Sequence, residues 1–161
     1  MTHSIFEQNP DELFMREALR QAKKAADKDE VPVGAVITHK NTIIARAYNQ
    51  VEMLKDPTAH AEMIALTQAA AHLDNKWLLD CVIYVTIEPC SMCGGALVLS
   101  RIARIVYGAA DPKTGACGSV IDIVNNKHLN HQIPVTKGVC AEECGLLLSE
   151  FFKKKRALGK K

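Results

Sequence analysis

Val82-Ile83-Tyr84-Val85-Thr86-Ile87-Glu88-Pro89-Cys90-Ser91-Met92-Cys93 is the stretch on which the fold turns. Val82 to Ile87 is nearly all apolar and largely β-branched, which predicts a strand covered on both faces. Pro89 marks a boundary, because proline ends a ladder and suits the approach to a helix. Cys90 and Cys93 stand three residues apart, so on a helix they share a face. A helix that begins at Cys90 directs its free N–H groups and dipole at the sulfurs and favours their thiolate forms. Gly94, Gly95 and Ala96 predict close packing of that helix, and Leu97, Val98 and Leu99 continue it to about Arg101. Arg104 to Gly108 reads as the next strand, and strand–helix–strand order predicts parallel pairing with right-handed crossovers.

A second stretch, Thr58-Ala59-His60-Ala61-Glu62, belongs with the first. His60, Cys90 and Cys93 together offer one imidazole and two thiolates, a donor set that suits zinc. Three protein ligands leave a tetrahedral ion one open position, the mark of a catalytic site. Zinc in that setting lowers the pKa of a water to about 7. Glu62, two residues beyond His60, points roughly 200° away from it on a regular helix. Near a helix start both side chains can still reach one pocket, and a carboxylate that is not a ligand is what proton shuttling needs. Each part alone is ambiguous. His-x-Glu by itself says almost nothing, and Cys-x-x-Cys fits zinc, redox chemistry or chance.

Outward from these stretches, Asn9-Pro10-Asp11-Glu12 is a helix start, with Asn9 as cap, Pro10 in the first turn and Glu12 completing a capping box. The helix is expected to run to about Asp27, with Phe14, Ala18, Ala22 and Ala25 as its core stripe. Val33 to Thr38 and Thr42 to Tyr48 read as a hairpin joined by His39-Lys40-Asn41, with Gly34 permitting close backbone approach. Asn49 ends the second strand; it is either a turn residue or, with an amide that both donates and accepts, a reader of a base edge. Gln50 to Thr58 reads as a loop. The helix from about Ala59 to Leu73 is expected to bury Met63, Ile64, Thr67, Ala70 and Ala71. Ala109 to Ser119 is a small-residue loop after a strand, a place where function is common. Val120 to Val124 reads as a short helix, Asn125 to Gln132 as irregular, Val135 to Val139 as a short strand, and the last helix starts near Ala141. His128 and His131 read as surface residues. The metal site then falls at the edge of the sheet, its ligands presented by two helix starts.

At 161 residues and 48% hydrophobic, the chain is expected to form one domain with a full core. No apolar run reaches the roughly 18 residues of a membrane span. The N-terminal stretch with Glu7, Asp11 and Glu12 does not read as a secretory signal, which points to the cytoplasm. Cys81, Cys117, Cys140 and Cys144 then read as buried thiols. The net charge of +2 is uneven: Lys153 to Lys161 holds five lysines and an arginine, leaving 14 basic and 18 acidic residues elsewhere, a balance of −4. Such an end is either a solvated helix terminus or a phosphate-binding tail.

With these residues in view, the chain resembles the bacterial tRNA-specific adenosine deaminases of the cytidine deaminase superfamily, over nearly its full length. The resemblance rests on Glu30-Val31-Pro32-Val33-Gly34-Ala35-Val36, on Asp56-Pro57-Thr58-Ala59-His60-Ala61-Glu62, on Tyr84 to Cys93, and on Asp111-Pro112-Lys113-Thr114-Gly115. Gly118-Ser119, Asn130-His131 and Phe151-Phe152 add to it. The zinc motifs mark the superfamily, whose nucleobase deaminases pair such ligands with a proton-shuttling glutamate. The loop from Asp111 and the basic last helix point to the tRNA branch.

The resemblance implies a three-layer α/β/α cytidine-deaminase-like fold with a central five-stranded mixed sheet. It implies a single zinc-dependent deaminase domain over 1–161 with a basic helix end at 153–161, one Zn2+ per chain, and a homodimer. The implied reaction converts the wobble adenosine of a tRNA anticodon stem-loop to inosine, with water activated by zinc attacking C6 and Glu62 shuttling protons. His60, Cys90 and Cys93 match the zinc ligands and Asn49 a base-contacting position. Val31, Asp111, Lys113 and Asn126 fall where the family lines its RNA pocket or rim. Phe152, Lys153, Lys154, Lys155 and Arg156 fall where it meets the stem-loop. Cys117 stands where a small residue such as alanine is expected. Three other readings account for parts of the sequence: a free-base or nucleotide deaminase, an RNA-binding protein with a structural zinc, and a thiol redox protein. The second needs a fourth ligand and no Glu62, and the third leaves His60-Ala61-Glu62 without a role.

Overall fold

The computed structural model describes residues 9–159. Residues 1–8, with Glu7, and Lys160 and Lys161 of the basic end lie outside the described residues. The elements follow in the order α1 (Pro10–Asp27), β1 (Gly34–His39), β2 (Thr42–Tyr48), α2 (Val51–Leu54), α3 (Ala61–Leu73), β3 (Cys81–Ile87), α4 (Ser91–Ser100), β4 (Arg104–Ala109), β5 (Val135–Lys137) and α5 (Ala141–Ala157). The five strands form one sheet in the order β2-β1-β3-β4-β5. β1 is antiparallel to both β2 and β3, whereas β3, β4 and β5 are parallel. The sheet is therefore mixed, as expected.

Alternation along the strands divides the core in two. Ile37, Ile83, Val85, Ile105 and Tyr107 pack with Ala61, Ala65, Leu66 and Ala69 of α3 and Leu97 and Val98 of α4. Val36, Tyr84 and Val106 face the other way, onto Phe14, Met15, Ala18 and Leu19 of α1 and Cys144 of α5. Three layers result, with β3 covered on both faces. α1 sits directly on β1, because a Cβ on Gly34 would run into the Ala18 carbonyl and the Ala22 amide. The start of α1 is capped by Asn9, whose Oδ1 accepts from Asp11 N at 3.0 Å. Asp11 is then tied to the sheet by Arg104, which donates to its carboxylate at 2.7 and 2.9 Å, and by the Tyr84 hydroxyl at 3.1 Å. The Arg104 hydrogen bonds hold the Asp11 carboxyl below the usual range. Among the described residues no helix is long and apolar enough to cross a membrane.

Several expectations are corrected. The segment 50–58 is not all loop. Residues Val51–Leu54 form one helical turn, because the buried Glu30 carboxylate accepts from Glu52 N at 2.6 Å and Met53 N at 3.1 Å. That acceptor lies 22 residues away in sequence, so nothing local announces it. The hairpin turn is the pair Lys40-Asn41, both at positive φ, with His39 still in the strand. The buried side of α3 is Ala61, Glu62, Ala65, Leu66 and Ala69; Met63, Ile64 and Ala70 are half-buried, and Thr67 and Ala71 are exposed. This helix is apolar nearly all round, so its pattern did not select a face. Val120 to Val124 is not helical, since the amides of Val120 and Ile121 turn back to the Gly115 carbonyl and Cys117 bridges to Asp122. Gly94 and Gly95 do not mediate close packing: a Cβ on Gly94 would make ordinary contact with Val124 at 3.6 Å, and one on Gly95 would meet nothing. β5 stops at Lys137, short of Val139. His131 is half-buried, with Nε2 at 2.8 Å from the Ile102 carbonyl, and Cys140 is half-buried where Cys81, Cys117 and Cys144 are buried.

Candidate active site

Both helix starts named by the sequence lie at one end of the sheet. β3 runs out through Glu88 and Pro89 to Cys90, which caps α4, and Cys93 follows in its first turn. The loop after α2 delivers His60 to the capping position of α3, and Glu62 follows in that first turn. The ligand atoms of His60, Cys90 and Cys93 all lie within 4.8 Å of one another. His60 Nδ1 is 3.6 Å from Cys90 Sγ and 3.5 Å from Cys93 Sγ. A tetrahedral ion with bonds of roughly 2.05 Å to nitrogen and 2.3 Å to sulfur would separate those atoms by about 3.6 Å. Donor chemistry and spacing therefore both fit zinc. Hydrogen bonding from Cys93 and from the His60 ring holds the Cys90 thiol well below the ordinary thiol range. Cys93 is pushed up by its bond to Cys90 and by burial.

Glu62 is 3% exposed. Burial pushes its carboxyl above the ordinary range, against the pull of the His60 ring and a hydrogen bond with Cys93. It opens on a cleft of about 1220 Å3 that also takes in His60, Cys90, Val31, Asn49, Asp111, Lys113, Phe152 and Lys155. Asn49 is 7% exposed, anchored by its backbone to the Val33 carbonyl at 3.0 Å, and its side-chain amide has no hydrogen-bond partner among the described residues. An amide so placed keeps both donor and acceptor for a ligand. The Asp111 carboxylate caps its own turn, accepting from Lys113 N at 2.9 Å, Thr114 N at 3.1 Å and the Thr114 hydroxyl at 2.7 Å. Burial opposes its ionisation, but these bonds outweigh burial and hold the carboxyl low.

Other candidates are separated from the cleft. Asn126 is not among its lining residues, and its Oδ1 accepts from His128 N at 2.9 Å in a surface turn. Among the described residues of the basic run, only Lys155 lines the cleft, where its ammonium meets Asp29 at 2.6 Å; Lys153, Lys154 and Arg156 are exposed and outside the lining. Helical spacing explains the split: Leu148, Phe151, Phe152 and Lys155 make one face of α5, at i, i+3, i+4 and i+7. That period was readable in the sequence and would have divided the run. Sequence reasoning also passed over Lys28 just after α1, Met53 of α2, Lys55 just after it, and Glu88, all of which line the cleft. Glu88 is 2% exposed. Burial works against its charge, yet hydrogen bonds from Ser119, Asp111 and Cys117 together hold its carboxyl below the ordinary range.

A His/Cys/Cys cluster beside a buried glutamate, presented by two helix starts at one end of a mixed sheet, defines a deaminase site, and the MafB19-like deaminase family model matches residues 9–156. A tRNA-specific adenosine deaminase of Aquifex aeolicus is 51% identical over 145 residues, covering 90% of this chain and 95% of its own. One from Bacillus subtilis is 47% identical over 154 residues, covering 93% and 96%. A solved structure from studies of A-to-I editing by tRNA:A34 deaminases at the wobble position of transfer RNA superposes with a TM-score of 0.82 at 39% identity, covering 84% of this chain and 99% of its own. The chain belongs to the tRNA-specific adenosine deaminase family.

Proposed function

We propose that this protein deaminates adenosine to inosine in tRNA, at the wobble position of an anticodon. The observation that carries the reading is the buried Glu62 beside His60, Cys90 and Cys93 at the base of an open cleft. At about 1220 Å3 the cleft exceeds the roughly 300–1,000 Å3 usual for small-molecule sites. It has room for a base with its flanking nucleotides. Lys28 and Lys113 on its walls, with Lys55 and Lys155 exchanging Glu52 and Asp29 for the substrate, supply the charge that RNA phosphates require. An anticodon loop already presents unpaired bases, so placing one in the cleft costs less than extracting it from a duplex.

His60, Cys90 and Cys93 would hold one zinc ion per chain. When bound, zinc supplies Lewis acidity that lowers the pKa of a water to about 7. Glu62 takes a proton from the attacking water and passes it to adenine N1, which draws electron density from C6. Once C6 is tetrahedral, Glu62 takes the remaining proton from the C6 hydroxyl and hands it to the 6-amino nitrogen; the C6–N bond breaks, ammonia leaves, and the ring keeps the oxygen as inosine. One carboxyl serves both steps because it acts as base and then as acid in turn, and burial favours its protonated form. Asn49 orients the ring through its unpartnered amide, Val31 offers an apolar surface to it, and Asp111 fixes the turn that carries Lys113. Phe152, on the rim at 44% exposure, is available to stack on a neighbouring base. Lys153, Lys154 and Arg156 would act from outside the cleft, on the stem. Asn126, away from the lining, would act only on RNA that extends past the rim.

The family-model match from 9 to 156 supports one deaminase domain over the chain. The family resemblance supports a homodimer in the cytoplasm, and analytical ultracentrifugation tests the dimer. The test of function is incubation of zinc-loaded protein with an anticodon stem-loop carrying adenosine at the wobble position. Inosine there, with free adenosine, guanine and cytidine untouched, is the expected result; turnover of a free base and none of RNA would sink the proposal. Stem-loop affinity is also expected to depend on salt. Four phosphate contacts on single-stranded RNA give a slope near −3, or about a 50-fold loss between 50 and 200 mM salt. Lys113→Ala is expected to flatten that slope by about 0.7, and a slope unchanged in this variant removes Lys113 from the RNA contacts.

A further inference from the structure

Glu88 stands between the metal-site turn and the loop that forms one rim of the cleft. Its Oε1 accepts from Asp111 N at 3.1 Å and from the Ser119 hydroxyl in a short bond; its Oε2 accepts from Cys117 N at 2.9 Å and Ser119 N at 3.2 Å. All four acceptor positions of a carboxylate are thus filled, by three residues that span nine positions of loop. The loop closes tightly around this group. A Cβ on Gly115 would collide with the Glu88 carboxyl and the Asp111 carbonyl, so glycine is required there by proximity. Ala116 N adds a bond to the Pro89 carbonyl at 2.9 Å, and Glu88 N itself bonds the Ala109 carbonyl at 2.9 Å. The segment bearing Asp111 and Lys113 is therefore hung from the residue two before Cys90.

We infer that Glu88 is a positioning residue for RNA recognition: its carboxylate fixes the 111–119 loop so that Lys113 and the turn capped by Asp111 meet the substrate. This rests on the function proposed above. It takes no part in the proton transfers, which belong to Glu62. The neutral amide of a glutamine cannot replace the carboxylate. Three backbone N–H groups converge on the two carboxylate oxygens, and an amide nitrogen in place of either oxygen would face a donor with a donor.

The test compares wild type with Glu88→Gln and Ser119→Ala, with zinc content, stem-loop KM and kcat, and hydrogen exchange measured on each. Glu88→Gln is expected to keep one zinc per chain and a kcat within about threefold of wild type. KM for the stem-loop is expected to rise tenfold or more, and the Cys117 and Ser119 amides to exchange at least tenfold faster. Ser119→Ala removes only the hydroxyl bond and is expected to raise KM about threefold with kcat unchanged; it remains informative should Glu88→Gln not fold. A merely structural role would lower the active fraction, and so kcat, with KM untouched. That pattern, loss of zinc, or wild-type KM in either variant would each overturn the inference. Wild-type protein that makes no inosine would instead defeat the proposed function, and stem-loop dissociation constants with amide exchange would then decide the role of Glu88.

Discussion

Glu62→Ala is expected to abolish turnover while leaving both zinc and fold in place. General acid–base catalysis contributes about 10²–10⁴-fold per positioned group, and Glu62 serves in two successive proton transfers, so kcat is expected to fall by at least about 10³-fold. Zinc content should stay at one per chain, because His60, Cys90 and Cys93 are untouched. Stability should hold or rise. The Glu62 carboxyl is 3% exposed and disfavoured by burial, so its removal relieves a desolvation cost, and functional sites commonly trade stability in this way. Glu62→Gln separates proton transfer from shape. It fills the same space without accepting a proton and should match the alanine variant in kcat. A zinc-loaded Glu62→Ala protein with near-normal turnover would refute the assignment, and a Glu62→Gln protein with near-normal turnover would reduce Glu62 to a spacer.

The chemistry was legible in the sequence because its parts are local. Cys90 and Cys93 lie three apart after a proline, and His60 and Glu62 two apart at a helix start, so short-range geometry carries each pair to a common place. The strands, the hairpin and the parallel pairing followed from alternation and element order, whereas the five-stranded mixed sheet came from the family resemblance, because the placement of β1 between β2 and β3 depends on pairings that no short segment encodes. The walls of the cleft were less legible for the same reason. Glu30 and Glu88 read as ordinary acids in sequence, and each becomes an acceptor for backbone N–H groups more than 20 residues away. One creates the α2 turn that segment 50–58 does not announce, and the other gathers the loop after β4. The basic run was visible as charge, but charge has no direction; only the helical period of α5 assigns Lys155 to the cleft and Lys153, Lys154 and Arg156 to the outside.

Cys93→Ser carries the second large effect. A serine hydroxyl does not supply the soft anionic donor that a thiolate does, so the site keeps only His60 and Cys90, and zinc content is expected to fall well below one per chain. Turnover should fall with it by about 10³-fold or more, since the attacking water loses its activation. The fold should survive. The two cores on either face of the sheet are built from aliphatic and aromatic side chains that need no metal, so the far-UV spectrum is expected to match wild type. Stability should differ by the binding linkage, about 4 kcal/mol at a zinc concentration 1,000 times Kd. At roughly 2–4 °C per kcal/mol for a domain of this size, Tm should drop by about 8–16 °C relative to zinc-saturated wild type. Neither Cys140 nor Cys144 can substitute for Cys93, because Cys144 is buried against Gly108 on the opposite face of the sheet and Cys140 packs against the same cluster. Chelation of wild type should reproduce the Tm and activity of Cys93→Ser and be reversed by added zinc, while the variant itself should respond to neither treatment. A Cys93→Ser protein that retains stoichiometric zinc and turnover would mean that the metal is held by other residues. A wild-type Tm and rate indifferent to chelation would remove the metal from the reaction and leave Glu62 to act on water without assistance.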